Sequence, residues 1–171
     1  MGIHNRMDIT SDAVVLFLQS LPPGCKFGML GFGSNSTWCS GQMNDYNNQT
    51  KDIAINEAHQ FDSNFGGTDI LNPLVTASTV GNDDYKKRIF LLTDGQVSNK
   101  QEIINYCQLM CQNNDDTKVF TFGIGNGCDK DLVEKVAIAG KGTSSIIEDN
   151  NPKDLKAKVV NALRKASDPA L

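Results

Sequence analysis

Short apolar runs without polar alternation, set between stretches of helical spacing, constrain this chain more than any other feature. Ile89-Phe90-Leu91-Leu92 lies within Lys87 to Thr93, and Val119 to Ile124 has the same character. A strand that is apolar on both faces must be covered on both, as in a parallel sheet flanked by helices. Phe27 to Phe32 adds a glycine-interrupted run ending in the turn chemistry of Gly33-Ser34-Asn35, and Thr143 to Glu148 adds a further strand. Helical patterns alternate with these runs: Gln101 to Cys111, Lys130 to Ala139 and Pro152 to Lys165. The repeated βα order predicts a doubly wound, mostly parallel α/β sheet with helices on both faces, joined by right-handed crossovers.

The first half refines this layout. Apolar residues recur from Ile9 at Ala13, Phe17 and Leu21, and Pro22-Pro23-Gly24 then stops the helix. Ser36 to Ser40 reads as a short second strand at the sheet edge, and the Asn- and Gly-rich stretch Gly41 to Asn48 as an exposed loop. Lys51 to Phe61 reads as a helix with Thr50 as N-cap, and Gly66-Gly67-Thr68-Asp69 opens another over Ile70 to Val80. Lys87 to Thr93 is expected to be central. With 171 residues and no internal repeat, one domain is expected.

Composition excludes several function classes. A formal net charge of −4 with no long run of one sign gives no reason to expect nucleic acid, whose binders neutralise phosphates with basic patches. The longest apolar stretches, such as Ala13 to Leu18, fall far short of the roughly 20 residues of a membrane span, so neither a membrane nor a nucleic acid is an expected partner. The N-terminus, with His4, Asn5, Arg6 and Asp8, lacks the pattern of a signal peptide. Five cysteines, an odd number without a CxxC pair, suit reduced thiols and a cytoplasmic location. Cys107 and Cys111 share a helix face, where the simpler reading is burial.

In open α/β sheets ligands bind outside the carboxyl ends of the strands. That rule selects the loops Gly33 to Asn35, Gly66 to Asp69, Thr93 to Gln96 and Gly125 to Asp129. Two groups there can hold a hard cation, the Thr68 hydroxyl and the Asp94 carboxylate; Mg²⁺ prefers oxygen ligands and keeps several waters. The same residues have structural readings: Thr-Asp-Gly is good turn chemistry, and Thr before a helix is an ordinary N-cap. Gly123-Ile124-Gly125-Asn126-Gly127 only imitates a nucleotide loop, since it lacks the third glycine at GxGxxG spacing and carries Asp129 nearby. His4 and His59 form no evident nucleophile and base pair.

Leu21-Pro22-Pro23-Gly24-Cys25-Lys26-Phe27 followed by Gly31-Phe32-Gly33-Ser34 resembles the von Willebrand factor type A (VWA) domains of the inter-alpha-trypsin inhibitor heavy chain type. Gly66-Gly67-Thr68-Asp69-Ile70 is similar to that family's second metal motif, Leu92-Thr93-Asp94-Gly95 to its third, and Phe122-Gly123-Ile124-Gly125 matches further on. The resemblance covers essentially the whole chain. It implies a Rossmann-like fold and a protein-binding module, not an enzyme, whose metal-ion-dependent adhesion site is completed by an acidic side chain of the partner protein. It implies further that Thr68 ligates Mg²⁺ or Mn²⁺ through its hydroxyl and that Asp94 contacts the ion directly or through water. Ser34, Asn35, Gly66, Gly67, Asp69 and Gly95 would form the surrounding ligand-face loops.

The start of the chain departs from the pattern. The family's first metal motif, Asp-x-Ser-x-Ser at the end of a first, central strand, is not in this sequence, which begins Met1-Gly2 where relatives often read Ser-Gly-Ser-Met-Gly. The expectation is an N-terminally truncated VWA domain with a partial site and weak or absent metal binding. An open slot is also expected where the strand is missing, with self-association through bare strand edges. The competing readings are a degenerate, metal-free scaffold within a larger protein and, with less support, a phosphoryl-transfer enzyme using Asp94 as nucleophile.

Overall fold

The structure, a computed structural model, describes residues 3–60, 68–81, 84–148, 151 and 153–167. Along the chain run α1 (Ile3–Ser20), β1 (Lys26–Phe32), β2 (Ser36–Asp45), α2 (Asn48–His59), α3 (Leu71–Thr79), β3 (Lys87–Thr93), α4 (Lys100–Asn113), β4 (Thr117–Ile124), α5 (Lys130–Ala139), β5 (Ser144–Ile147) and α6 (Lys153–Ser167). This is the expected α/β fold with a parallel sheet and helices on both faces.

The described strands form two sheets. β3, β4 and β5 lie side by side in that order, all parallel, in register from Lys87 opposite Thr117 to Thr93 opposite Gly123 and from Thr121 opposite Ser144 to Ile124 opposite Ile147. β1 and β2 form an antiparallel pair from Lys26 opposite Asp45 to Phe32 opposite Ser36, with an irregularity between Phe27 and Met29. At that irregularity the strands approach so closely that a Cβ on Gly28 would lie 2.1 Å from the Gln42 carbonyl oxygen. Only glycine fits there without displacing backbone.

The sequence reading placed β3 at the centre. Among the described residues β3 is instead an edge of its sheet and β4 is the buried middle strand: Val119, Phe120, Thr121, Phe122 and Ile124 are buried, whereas Ile89, Phe90 and Leu92 of β3 are half-buried. Apolar content reports coverage of the faces and is silent about the edges. β2 is also longer than expected, because the polar stretch after Gly41 continues the ladder to Asp45. A solvent-facing edge strand needs backbone partners more than apolar side chains. At α2 the cap is Asn47: its Oδ1 accepts the Thr50 N–H at 3.0 Å and the Thr50 hydroxyl accepts the Asn47 N–H at 3.1 Å. Thr50 thus closes a capping box rather than capping the helix itself. Phe61, read as the end of this helix, lies outside the described residues. α1 begins at Ile3, ahead of the expected Ile9, since no glycine or proline interrupts it.

Two apolar layers sandwich the parallel sheet. On one side Ile9, Ala13 and Phe17 of α1 and Leu155, Val159 and Ala162 of α6 pack on Phe120, Phe122 and Ile124. The rings cluster there, Phe17 tilted against Phe90 at 4.7 Å and edge-on to Phe122 at 5.2 Å, and Phe90 stacked on Phe120 at 5.3 Å. On the other side Ile70, Leu74, Ile103, Cys107, Cys111, Leu132 and Val136 pack on Leu91 and Val119. Burial pushes the Cys107 thiol up to about 12, so Cys107 acts as a small apolar core residue. A third cluster of Leu18, Phe27 and Ala54 joins α1 and α2 to β1.

Candidate functional site

The loops at the carboxyl ends of β1 and β3 meet the segment before α3. The Asp69 N–H donates to the Gly33 carbonyl at 2.9 Å, tying that segment to the end of β1. Ile70, fully buried, anchors the entry to α3. Thr93 is buried at the end of β3, and its hydroxyl accepts the Gly95 N–H at 3.2 Å, closing the turn that leaves Asp94 exposed. Thr68 sits against this turn: a Cβ on Gly95 would lie 2.6 Å from the Thr68 Oγ1 and 2.9 Å from its Cγ2. Glycine therefore lets the Thr68 hydroxyl stand close to Gly95, the chain neighbour of Asp94, at the carboxyl end of β3.

The remaining loop residues divide. Ser34 and Asn35 are exposed in the β1–β2 turn at the same end, where the Asn35 carbonyl accepts the Gly33 N–H at 2.9 Å. The Asp69 carboxylate is engaged locally: it accepts the Asn72 backbone N–H at 3.3 Å and the Asn72 side-chain amide, capping the first turn of α3. Gly66 and Gly67 lie outside the described residues. Among the described residues no group of three or more His, Cys, Asp or Glu side chains is gathered as a metal site. The donor pair of one hydroxyl and one exposed carboxylate fits a hydrated hard cation held by few protein oxygens.

The loop after β4 carries an ion-pair cluster that the sequence reading missed. Lys100 at the start of α4 reaches Asp129 at 2.8 Å and Asp131 at 3.2 Å. Asp129 Oδ1 also accepts the Leu132 N–H at 3.0 Å, capping α5. The Lys100 ammonium, and after it the Leu132 N–H, hold the Asp129 carboxyl below the usual carboxylate range. No sequence spacing announces a partnership between side chains so far apart in the chain. Since the folded-state pKa is depressed, this contribution to stability is present above the unfolded value of about 3.9 and is lost as pH falls through the folded value. Asp129→Asn, which keeps a capping oxygen, should reduce the loss of thermal stability between neutral pH and about pH 3. Melting curves at the two pH values check this, and an unchanged loss would assign the acid sensitivity elsewhere.

The glycine-rich segment after β4 serves packing. A Cβ on Gly123 would meet Cys128 Sγ at 2.6 Å and Ile146 Cδ1 at 2.8 Å. The Gly125 N–H is spent on the Ile147 carbonyl at 2.7 Å, and the Cys128 N–H on the Gly125 carbonyl at 3.3 Å. Those amides are thus committed within the fold rather than aimed at a phosphate. His59 lies in α2, its Nδ1 at 3.4 Å from Ser11 Oγ, which donates instead to the Ala58 carbonyl at 2.9 Å. That pair packs α1 on α2, away from the strand ends.

The open α/β sheet places the loops of Thr68 and Asp94 at the carboxyl ends of its strands, where folds of this class carry their ligand-binding loops. The family model of the von Willebrand factor type A domain matches residues 1–146, and the chain belongs to that family. It is 33% identical over 160 residues to a von Willebrand factor A domain-containing protein of Dictyostelium discoideum, a match that covers 93% of this chain and 17% of that protein. It is 31% identical over 170 residues to von Willebrand factor A domain-containing protein 5A of Rattus norvegicus, covering 97% of this chain and 20% of that protein. The chain therefore spans no more than a fifth of the length of these relatives. Among solved structures, a von Willebrand factor type A protein from Catenulispora acidiphila superimposes with a TM-score of 0.76 at 21% identity, over 95% of this chain and 38% of that one. VWA domains are generally protein-interaction modules and commonly bind a divalent metal.

Proposed function

We propose that this chain is a protein-binding module in which Thr68 and Asp94 hold one side of a hydrated Mg²⁺ or Mn²⁺ whose coordination is completed by an acidic side chain of the partner protein. The observation that supports it is the contact of the Thr68 hydroxyl with the Asp94-Gly95 turn, two oxygen donors presented where the strands end. When bound, the cation would supply a positive charge that attracts the partner's carboxylate. Thr68 and Asp94 would position it, Ser34 and Asn35 would flank the partner, and Asp69 would keep the Thr68 segment in place through its cap on α3. Binding rather than catalysis is the role we favour, in keeping with VWA domains generally, and the Gly125 and Cys128 amides of the loop after β4 are already hydrogen-bonded within the fold.

The partial character of the site is part of the proposal. Two protein oxygens replace little of the hydration that Mg²⁺ gives up reluctantly, so affinity should be on the order of millimolar. The likeness of the Leu21 to Phe27 stretch to the inter-alpha-trypsin inhibitor heavy chain type supports a protein ligand over a small one. The free thiols, three of the five buried, favour work in a reducing compartment such as the cytoplasm. Titration calorimetry with Mg²⁺ and Mn²⁺ tests the site: weak binding that disappears in Asp94→Ala is expected. Tight binding, or weak binding indifferent to Asp94→Ala, would contradict it.

A further inference from the structure

The glycine-rich segment after β4 holds the one Asn-Gly step in the sequence, Asn126-Gly127, and the loop after β3 holds the one Asp-Gly step, Asp94-Gly95. Both steps place a side-chain carbonyl carbon next to a backbone amide that no β-carbon shields, the arrangement from which a five-membered succinimide ring closes. Asparagine is among the thermolabile residues. The structure separates the two steps. The Gly95 N–H donates to the Thr93 hydroxyl at 3.2 Å, and Thr68 closes over the Gly95 α-carbon, where an added Cβ would meet its Oγ1 at 2.6 Å. Gly127 differs: its N–H has no hydrogen-bond acceptor among the described residues, and Asn126 and Gly127 are both exposed. Gly125 and Cys128, both buried, hold the turn on either side, joined by the Cys128 N–H to the Gly125 carbonyl at 3.3 Å, a bond at the weak end of the usual range.

We propose that Asn126 is a site of spontaneous deamidation, with water as the co-reactant, and that the fold exposes this step while protecting Asp94-Gly95. The Gly127 nitrogen gives up its proton to solvent base, and its electron pair attacks Asn126 Cγ to form the C–N bond of the ring. The bond from Cγ to the side-chain nitrogen then breaks, and that nitrogen takes up a proton and leaves as ammonia. Water adds to either ring carbonyl: opening at Cγ gives aspartate, and opening at the backbone carbonyl gives isoaspartate. Nothing is oxidised or reduced, and the balance is amide plus water to acid plus ammonia. Each product adds a negative charge to a loop whose Asp129 shares Lys100 with Asp131. Isoaspartate also inserts a methylene into the main chain between Gly125 and Cys128, lengthening the turn that leads into Asp129, the cap of α5. None of this depends on a cation at Thr68 and Asp94.

The test incubates the full chain in mildly alkaline buffer at body temperature and follows it by peptide mapping with mass spectrometry after rapid digestion. Trypsin releases the Asn126 step in the fragment Val119 to Lys130 and the Asp94 step in Ile89 to Lys100. Deamidation is read as the mass gain of amide to acid, and isoaspartate by labelling with an isoaspartyl methyltransferase. The mass gain at Asn126 should accumulate at least about tenfold faster than at the exposed Asn105 and Asn161, with no isoaspartate at Asp94 over the same time. Gly127→Ala should slow it by about tenfold or more, because a β-carbon then shields the nitrogen; Gly127 is not one of the positive-φ glycines, so alanine fits the turn. Asn126→Gln, whose longer side chain closes a six-membered ring far more slowly, should abolish it. Conversion at Asn126 no faster than at Asn105 and Asn161, conversion indifferent to both variants, or isoaspartate at Asp94 at an equal rate would overturn the proposal. So would conversion at Asn126 seen only when the chain is unfolded in urea, which would mean that the native turn protects it.

Discussion

Phe122→Ala is expected to cost about 3–5 kcal/mol of stability, a large share of what holds a domain of this size folded. Phe122 lies in the middle strand, is 1% exposed, and meets Phe17 edge-on at 5.2 Å. Its removal opens a cavity where α1, α6 and β4 converge, and close-packed surroundings relax only partly into such a void. A domain of ordinary size has a margin of roughly 5–15 kcal/mol. Urea denaturation followed by circular dichroism should show a midpoint displaced far toward zero. Ile138→Ala is the comparison, because Ile138 is 76% exposed and its replacement should change stability by no more than about 0.5 kcal/mol. Equal costs for the two variants would mean that the core is not the one described.

Gly95→Ala is expected to weaken divalent-cation binding by at least about tenfold, a difference of about 1.4 kcal/mol, while leaving the fold intact. The added methyl carbon would stand 2.6 Å from the Thr68 Oγ1, so either the hydroxyl or the turn must move. The turn is held by the buried Thr93 hydroxyl, which makes Thr68 the group that yields. Thr68→Val, which preserves shape and removes the oxygen, should match it in cation affinity. Both variants should stay within about 1 kcal/mol of the parent protein in urea, because the loop is at the surface. If Gly95→Ala binds Mn²⁺ as the parent does, the Thr68 hydroxyl is not a donor and the contact is only packing.

How much of this was legible in the sequence can be judged residue by residue. The α/β order was readable because burial on both faces leaves the unbroken run Ile89 to Leu92 and the run Val119 to Ile124. The position of Thr68 beside Asp94-Gly95 was reachable through the rule for strand ends and the motif resemblance, although periodicity alone left Asp94 as turn chemistry. Edges were not legible: nothing in Lys87 to Thr93 distinguishes a strand with two neighbours from one with a bare side. The Lys100–Asp129 pair was invisible because it joins the entries of two helices distant in sequence. Asn47 was overlooked as the α2 cap because Thr50 is an equally good capping residue, and only the reciprocal hydrogen bonds separate their roles.

The most direct test of the central claim, that Thr68 and Asp94 form one cation-binding site, is paramagnetic broadening of backbone amide resonances by substoichiometric Mn²⁺. The account predicts broadening centred on Thr68, Asp69, Asp94 and Gly95, extending to Ser34 and Asn35 across the loop cluster, and abolished in Asp94→Ala. Broadening centred instead on the exposed carboxylates near Asp115 and Asp116, or unchanged in Asp94→Ala, would contradict it.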